Sequence, residues 1–504
     1  MRALRLLVLS LLAVCRLATA QGASPYLPIH HWSTPYLEHF IARGVMADPT
    51  PLTRPWREAD VLKALADVDT TRLSRAERAV VRRVTGELTG DGRRETGNAA
   101  ALRVDGDVGA AGSTHARRDP LREAGTGHAT ANGGLDLAFY WGSVVAVTHP
   151  YFDTRLKYDP DFFGKKDRII AGRNAEAYVA GQWRFGEVFF GSLDRNWGPG
   201  PVDGLLISAN PYSYAHFAVT LGTPRFHIEG LLTQLDDLPD TSGTPNHRFI
   251  VAHRLIMRPP GSTTVALWEG TILAGPNRTL EPWYANILDL GLLAQYDEGT
   301  PNNSLLGFDV DTRVRRAHLF AQVLLDDIQV DKGGAGNTEP PSYGITLGAQ
   351  GGLGRAAWTA FYTQVANLTY RTPNPPETVM RRGVGLGRNF SDYDQLTLRS
   401  SFVTGPGVLL APEVTVLRQG EGDFRQPYPP TAAYDTTPTI FAGVVERTLR
   451  LAANLDWRAG PWQLHADGGA HLIHNYQHLS GATKTKFVGS VGFTFYFRRE
   501  SVLP

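Results

Sequence analysis

Serine, histidine and aspartate, the residue types from which a nucleophile, a general base and its orienting acid are assembled, occur throughout this 504-residue chain. Their spacing singles out no set of three. There is no G-x-S-x-G turn, no H-E-x-x-H pair and no Walker loop, so the local signatures of a nucleophile elbow, a zinc helix and a phosphate cradle are all missing. The string Gly383-Val384-Gly385-Leu386-Gly387 is spelled like a phosphate loop. No βαβ pattern surrounds it, and it reads as a flexible loop. His30 and His31 adjoin without a third ligand at metal spacing, which makes them packing or surface residues. We therefore expect no enzyme, no cofactor and no metal, with an outer-membrane hydrolase using a Ser/His pair as the remaining catalytic alternative.

The most distinctive stretch is GSLDRNWGPGPVDGLLISANP, residues 191 to 211. Glycine and proline give Gly198-Pro199-Gly200 its bend, and the following GLLISAN reads as a strand. Trp197 is expected to pack over its own turn and anchor that joint, with sugar stacking as the second reading. Asp194 and Arg195 beside it read as a pair.

The elements that must carry these residues fall into two regions. The chain begins with a basic Arg2 and Arg5, an apolar run from Leu6 to Val14 and Ala18-Thr19-Ala20, the pattern of a cleavable signal peptide over 1–20. Val14 before the lone Cys15 argues against lipid attachment. Residues 21–98 read as a helical bundle and polar linker. Leu37, Phe40 and Ile41 share a face after a Ser33 or Thr34 cap, and Gly44 stops that helix. Val61, Leu62, Leu65 and Val68 share another. Ser74 with Glu77 forms a capping box ahead of Val80, Val81, Val84 and Leu88.

Past the linker the period changes from 3.6 to 2. Phe226, Ile228, Gly230 and Leu232 alternate with His227 and Glu229. Leu306, Phe308, Val310 and Val314 alternate with Asp309, Asp311, Arg313 and Arg315, and Leu449, Leu451 and Leu455 with Glu446, Arg450 and Asp456. One continuous apolar face set against a face dense in both charge signs suits a wall between lipid and a wet lumen. A soluble sandwich or propeller alternates too. The final strand places Phe487, Phe493, Phe495 and Phe497 on one side. The barrel is expected over 99–498 with a tail at 499–504. At about ten residues per strand plus loops, these positions hold about 16 to 20 strands, and an even count near 18. Loops at 109–134, 373–392 and 418–438 are expected to be extracellular and mobile. With a net charge of +1 there is no concentrated basic face for nucleic acid.

The 191–211 stretch resembles the signature of the Wzi-type capsule assembly protein family, in Trp197, Gly198, Pro199 and Gly200 followed by Leu205, Leu206, Ile207, Ser208 and Asn210. Residues 26–65, with Arg54-Pro55 before a helix, also look like that family's N-terminal region, and the Leu306 to Arg316 and Leu324 to Ile328 segments are similar to its later strands. Asn196 stands where a second aromatic is expected, which sets aside a paired-tryptophan platform. We expect a monomer, and the resemblance implies a transmembrane antiparallel β-barrel of the outer membrane, about 18 strands, with the helices on its periplasmic side. Its implied activity is lectin-like. It would bind capsular or extracellular polysaccharide, meet outer-membrane lipid and work with polysaccharide export machinery. The alternative is a porin. Glu229, Asp309, Asp311, Arg313, Arg315, Glu446 and Arg450 would line an open channel or cross-link a closed one, and their mixed signs favour the closed lumen.

Overall fold

From Ala101 onward, alternating side chains build 18 antiparallel strands that close into a barrel. The computed structural model describes residues 22–89, 100–168, 170–327 and 339–502. The expected signal peptide and the 91–98 linker lie outside the described residues, as does Ile328. The ring closes where Thr483–Val502 pairs with Ala101–Ser113, Phe497 standing opposite Gly106. That last strand continues past residue 498.

Parity decides what each strand shows. Along Glu446–Ala459, Thr448, Arg450 and Asp456 are buried toward the lumen, while Leu451 faces out. Val179, Phe190, Leu267, Leu347, Leu398 and Phe487 are exposed on the same outer wall. Such an apolar belt is unfavourable in water and suited to hydrocarbon. No helix among the described residues is long and apolar enough to cross a membrane.

Connections divide the two rims. Short turns at 354–355, 406–407 and 460–461 close one rim, and long segments at 114–128, 193–214, 276–302, 366–392 and 420–445 leave the other. Three of the expected loops are corrected. Strands occupy part of 109–134 and of 418–438, reaching Ser113, resuming at Ala129 and extending to Gln419. The 373–392 segment folds inward, with Val379 and Leu386 fully buried, because its apolar residues find cover only in the lumen.

Helices α1 (Thr34–Ala42), α2 (Glu58–Ala66) and α3 (Arg75–Thr89) sit against the short-turn rim. The Tyr36 hydroxyl lies 2.9 Å from the Gly407 carbonyl and 3.0 Å from that of Asp456, and Arg83 donates to the Arg458 carbonyl. Leu37, Phe40, Val61, Leu65, Val80 and Val84 form one core. The capping box is made: the Ser74 amide donates to Glu77 at 2.6 Å and the Glu77 amide to the Ser74 hydroxyl at 3.2 Å. Ser33 makes no side-chain cap, its hydroxyl lying instead 2.8 Å from His31 Nδ1.

A fourth helix, α4 (Gly291–Asp297), is absent from the sequence reading. It belongs to the 276–302 segment, which lies over the outer wall. Val251 and Leu273 face outward by parity yet are buried, packed with Tyr284 and Ala294. Outward Glu269 sits beneath it, 2.9 Å from His253 Nδ1 and accepting from the Gly291 amide at 2.7 Å.

Candidate functional site

The segment 193–214 enters the lumen. Its Leu205-Leu206-Ile207 run is apolar on every residue, which a one-sided wall strand cannot bury, and all three are buried. The expected strand over GLLISAN is therefore corrected: only Asn196–Trp197 is extended, paired with Thr53–Arg54 from the N-terminal unit. Asn196 ties the turn together. Its amide nitrogen donates to the Val202 carbonyl at 3.0 Å, and its oxygen accepts from the Gly204 amide at 2.6 Å. That amide group works as a stand-in for backbone, and an aromatic ring there would leave both partners unmet.

Wall residues clamp this plug. Gln322 donates to the Trp197 carbonyl at 2.8 Å and accepts from the Leu205 amide at 2.8 Å. Arg254 stands 5.5 Å from the Trp197 ring centroid, donates to the Leu52 carbonyl and pairs with Asp309 at 2.7 Å. Trp268 donates to the other Asp309 oxygen at 2.9 Å. With Trp197 only 4% exposed, it has no free face for a sugar. Below the turn, Arg54 is held between Glu38 at 2.9 Å and Asp48 at 2.7 Å and stacks on Trp56. Burial opposes its charge, but the two carboxylates outweigh burial and raise its pKa.

The inward 366–392 segment meets the plug from above. The Ser208 amide donates to the Leu386 carbonyl at 2.8 Å, and Asn210 donates to that of Gly387 at 2.6 Å. A β-carbon on Gly387 would overlap the Leu205 carbonyl. The Gly383 to Gly387 string is thus a close-packed joint rather than a flexible loop.

Of the charges singled out in sequence, Asp309 and Arg450 sit deepest in paired networks. Arg450 bridges Glu413 at 2.7 Å and Asp467 at 2.7 Å. Glu229 lies 3.9 Å from Arg254, and Asp311 lies 3.9 Å from His318. Glu446 accepts the Gln477 amide at the long-loop rim. Arg313 approaches Gly44 of the helical unit. Arg315 is corrected: with φ 57° it sits outside its strand, in the two-residue turn after Val314, not on the lumen wall. Asp194 and Arg195 form no pair, Arg195 instead donating to His216 at 2.7 Å.

At the long-loop rim four segments converge in an arrangement the sequence did not single out. Phe390 has Arg122 at 4.7 Å, Arg117 at 5.4 Å and Arg425 at 5.5 Å. Tyr212 has Arg118 at 4.2 Å and Arg173 at 4.8 Å. Arg117 pairs with Asp161 at 2.9 Å, whereas Arg118 donates to the carbonyls of Ala209 and Asn210. Burial pushes the Tyr212 hydroxyl above its ordinary value, against the pull of Arg155 and Arg118. Guanidinium forks and ring faces are the groups that hold carboxylates and sugar faces. Arg117, Arg118 and Arg122 within one expected loop were the available signal. Their gathering around rings from distant loops was not legible.

No family model and no curated protein matches the sequence. Among solved structures, the chain is similar to Wzi of Escherichia coli, described as an outer-membrane protein involved in group 1 capsule assembly and a carbohydrate-binding β-barrel. The two are 13% identical over 92% of this chain and 96% of that one, with a TM-score of 0.59. It also matches OprD of Pseudomonas aeruginosa, 8% identical over 79% of this chain and 95% of that one, at a TM-score of 0.45. OccAB4 of Acinetobacter baumannii is 9% identical over 81% and 99%, at 0.46. At such identities the likeness is one of fold: a closed β-barrel of the outer-membrane type.

Proposed function

We propose that this is an exported outer-membrane protein, related to the Wzi-type family, that binds surface polysaccharide and helps assemble or retain it, without chemical turnover. The observation that carries this reading is the arginine and aromatic layer over a filled lumen. The 193–214 and 366–392 segments pack on each other and on the wall, and above them the half-buried Phe390 ring is flanked by Arg117, Arg122 and the exposed Arg425, while Tyr212 is buried beneath Arg118 and Arg173. Rings supply stacking faces for pyranose C–H groups and guanidiniums supply paired donors for hydroxyls and acidic sugars. The apolar outer belt supports lipid as its surroundings. The short-turn rim with its helices is then periplasmic, and the long segments face outward.

The porin reading needs a continuous wet path, and Trp197, Leu205 and Tyr370, all buried in one apolar cluster inside the barrel, count against it. Planar-bilayer recording of folded protein separates the two, with no steady channel expected. A large steady conductance would overturn the closed-lumen reading. For glycan binding, a strain lacking the gene is expected to shed surface polysaccharide that the parent retains. Unchanged retention would overturn the lectin reading.

A further inference from the structure

The outer wall carries one row that does not belong in hydrocarbon. Strand register places Gln364, Asp394, Arg418, Arg447, His474 and Thr483 as successive partners across six strands. Each lies within the last or first two residues of its strand at the long-loop rim. Parity turns the row outward: Arg418, Arg447 and His474 are exposed, while Leu417, Thr448 and Ile473 between them are buried. Two residues nearer the middle of the barrel, the matching row is Leu396, Val416, Leu449 and Leu472, and Leu396, Val416 and Leu472 are exposed. A cationic row thus stands directly above an apolar one.

The charges within the row do not balance. Arg418 is engaged by Asp394, Nε to Oδ1 at 2.9 Å, and lies over Phe441 at 4.7 Å. Arg447 stands directly opposite it with no hydrogen bond or ion pair among the described residues, and His474 is the next partner on. Like charges opposed across two strands destabilise a sheet. The arrangement becomes favourable when a polyvalent anion bridges the two guanidiniums, whose forks match phosphate oxygens.

We propose that this row binds the phosphorylated headgroup of an outer-leaflet glycolipid, its acyl chains lying along Leu396, Val416, Leu449 and Leu472. The site rests on the membrane location proposed above and is independent of polysaccharide binding. Tyr362, whose hydroxyl donates to Asp394 at 3.0 Å, holds the carboxylate against Nε and Nη2 of Arg418 and leaves Arg418 Nη1 and Arg447 for the phosphate.

The test is native mass spectrometry of the full chain in detergent with bisphosphorylated lipid A, phosphatidylcholine or inorganic pyrophosphate. One lipid A is expected to remain bound in preference to phosphatidylcholine. Arg447→Gln lowers its retention several-fold, Arg418→Gln with Arg447→Gln lowers it at least tenfold, and Arg447→Lys restores part of it. Arg355→Gln, in a short turn at the other rim, leaves it unchanged. Unheated gel mobility verifies that each barrel is folded. Equal retention by the folded double variant would overturn the proposal, as would displacement of the lipid by millimolar pyrophosphate, which would mark a site for soluble anions. Loss of lipid A binding with intact glycan retention, or the reverse, separates this site from the mouth.

Discussion

The Arg54 guanidinium occupies the space that a β-carbon on Gly200 would need. The arginine cannot withdraw, because Glu38 and Asp48 hold it from both sides and Trp56 lies beneath it. The glycine after Pro199 is therefore required by a side chain some 150 positions earlier, and the N-terminal unit and the lumen plug form one joint. Gly200→Ala is expected to cost about 1 to 3 kcal/mol by overpacking. The barrel remains folded by gel mobility, but the plug loosens, and bilayer recordings show intermittent openings missing from the parent. A silent Gly200→Ala channel with unchanged thermal stability would sink the idea that this joint seals the lumen.

Arg254 and Asp309 are a buried pair whose two ends are unequal. Asp309 also accepts from Trp268, while Arg254 also holds the Leu52 carbonyl and the Thr53 hydroxyl. Arg254→Met leaves a carboxylate in a closed space and is expected to lose about 3 to 5 kcal/mol. Arg254→Met with Asp309→Asn removes the stranded charge and recovers at least half of that loss. Urea unfolding in lipid vesicles, read as a double-mutant cycle, measures it. Additive losses would show that the two groups do not depend on each other.

The barrel was legible because its signal is repeated. Each strand states the same alternation, so strand count and face assignment survive local errors such as Arg315, which falls in a turn. The helices were legible through caps and spacing, as at Ser74 and Glu77. The plug was not. A segment inside a lumen is buried on all sides, so Leu205-Leu206-Ile207 looks like a strand core and Val379 to Leu386 like a glycine-rich loop. Leu205 meets Gln322 and Tyr370, and Gly387 meets Leu205, all far apart in sequence. Asn196 shows the same limit: as a departure from a family pattern it looked like a loss, whereas its amide completes the turn.

Glu77 is expected to make the helical unit sensitive to acid. Burial works against its charge, but hydrogen bonds from His39 and the Ser74 amide and hydroxyl, with Arg43 close by, pull its pKa from 4.5 down to about 2. The unfolded chain takes the proton more readily, so this contribution is complete above about pH 5 and is lost as pH falls through 4.5 toward 2. At 1.36 kcal/mol per tenfold, it amounts to about 3 kcal/mol. Hydrogen exchange of α3 is expected to accelerate steeply between pH 5 and 2.5, beyond the intrinsic rate. Glu77→Gln exchanges faster at pH 7 and loses most of that extra dependence. If the variant keeps the parent's profile, another group is responsible.

The mouth and the motif should separate by experiment. Arg122 and Arg425 flank Phe390 from different loops, and Arg425 reaches Asn389 and the Gly383 carbonyl. If the rings and guanidiniums grip sugar, each arginine is worth about 1 kcal/mol, so Arg122→Ala with Arg425→Ala weakens binding of the purified surface polysaccharide by about thirtyfold. Phe390→Leu keeps the apolar bulk but loses the flat face, and is expected to weaken binding without lowering the melting temperature. Trp197→Phe does the opposite. It removes ring area beside Arg254 in the plug and lowers thermal stability, while isothermal titration gives an unchanged affinity for the glycan. An unaltered affinity in the double arginine variant, or a lost one in Trp197→Phe with the plug intact, would move the binding site from the mouth to the motif.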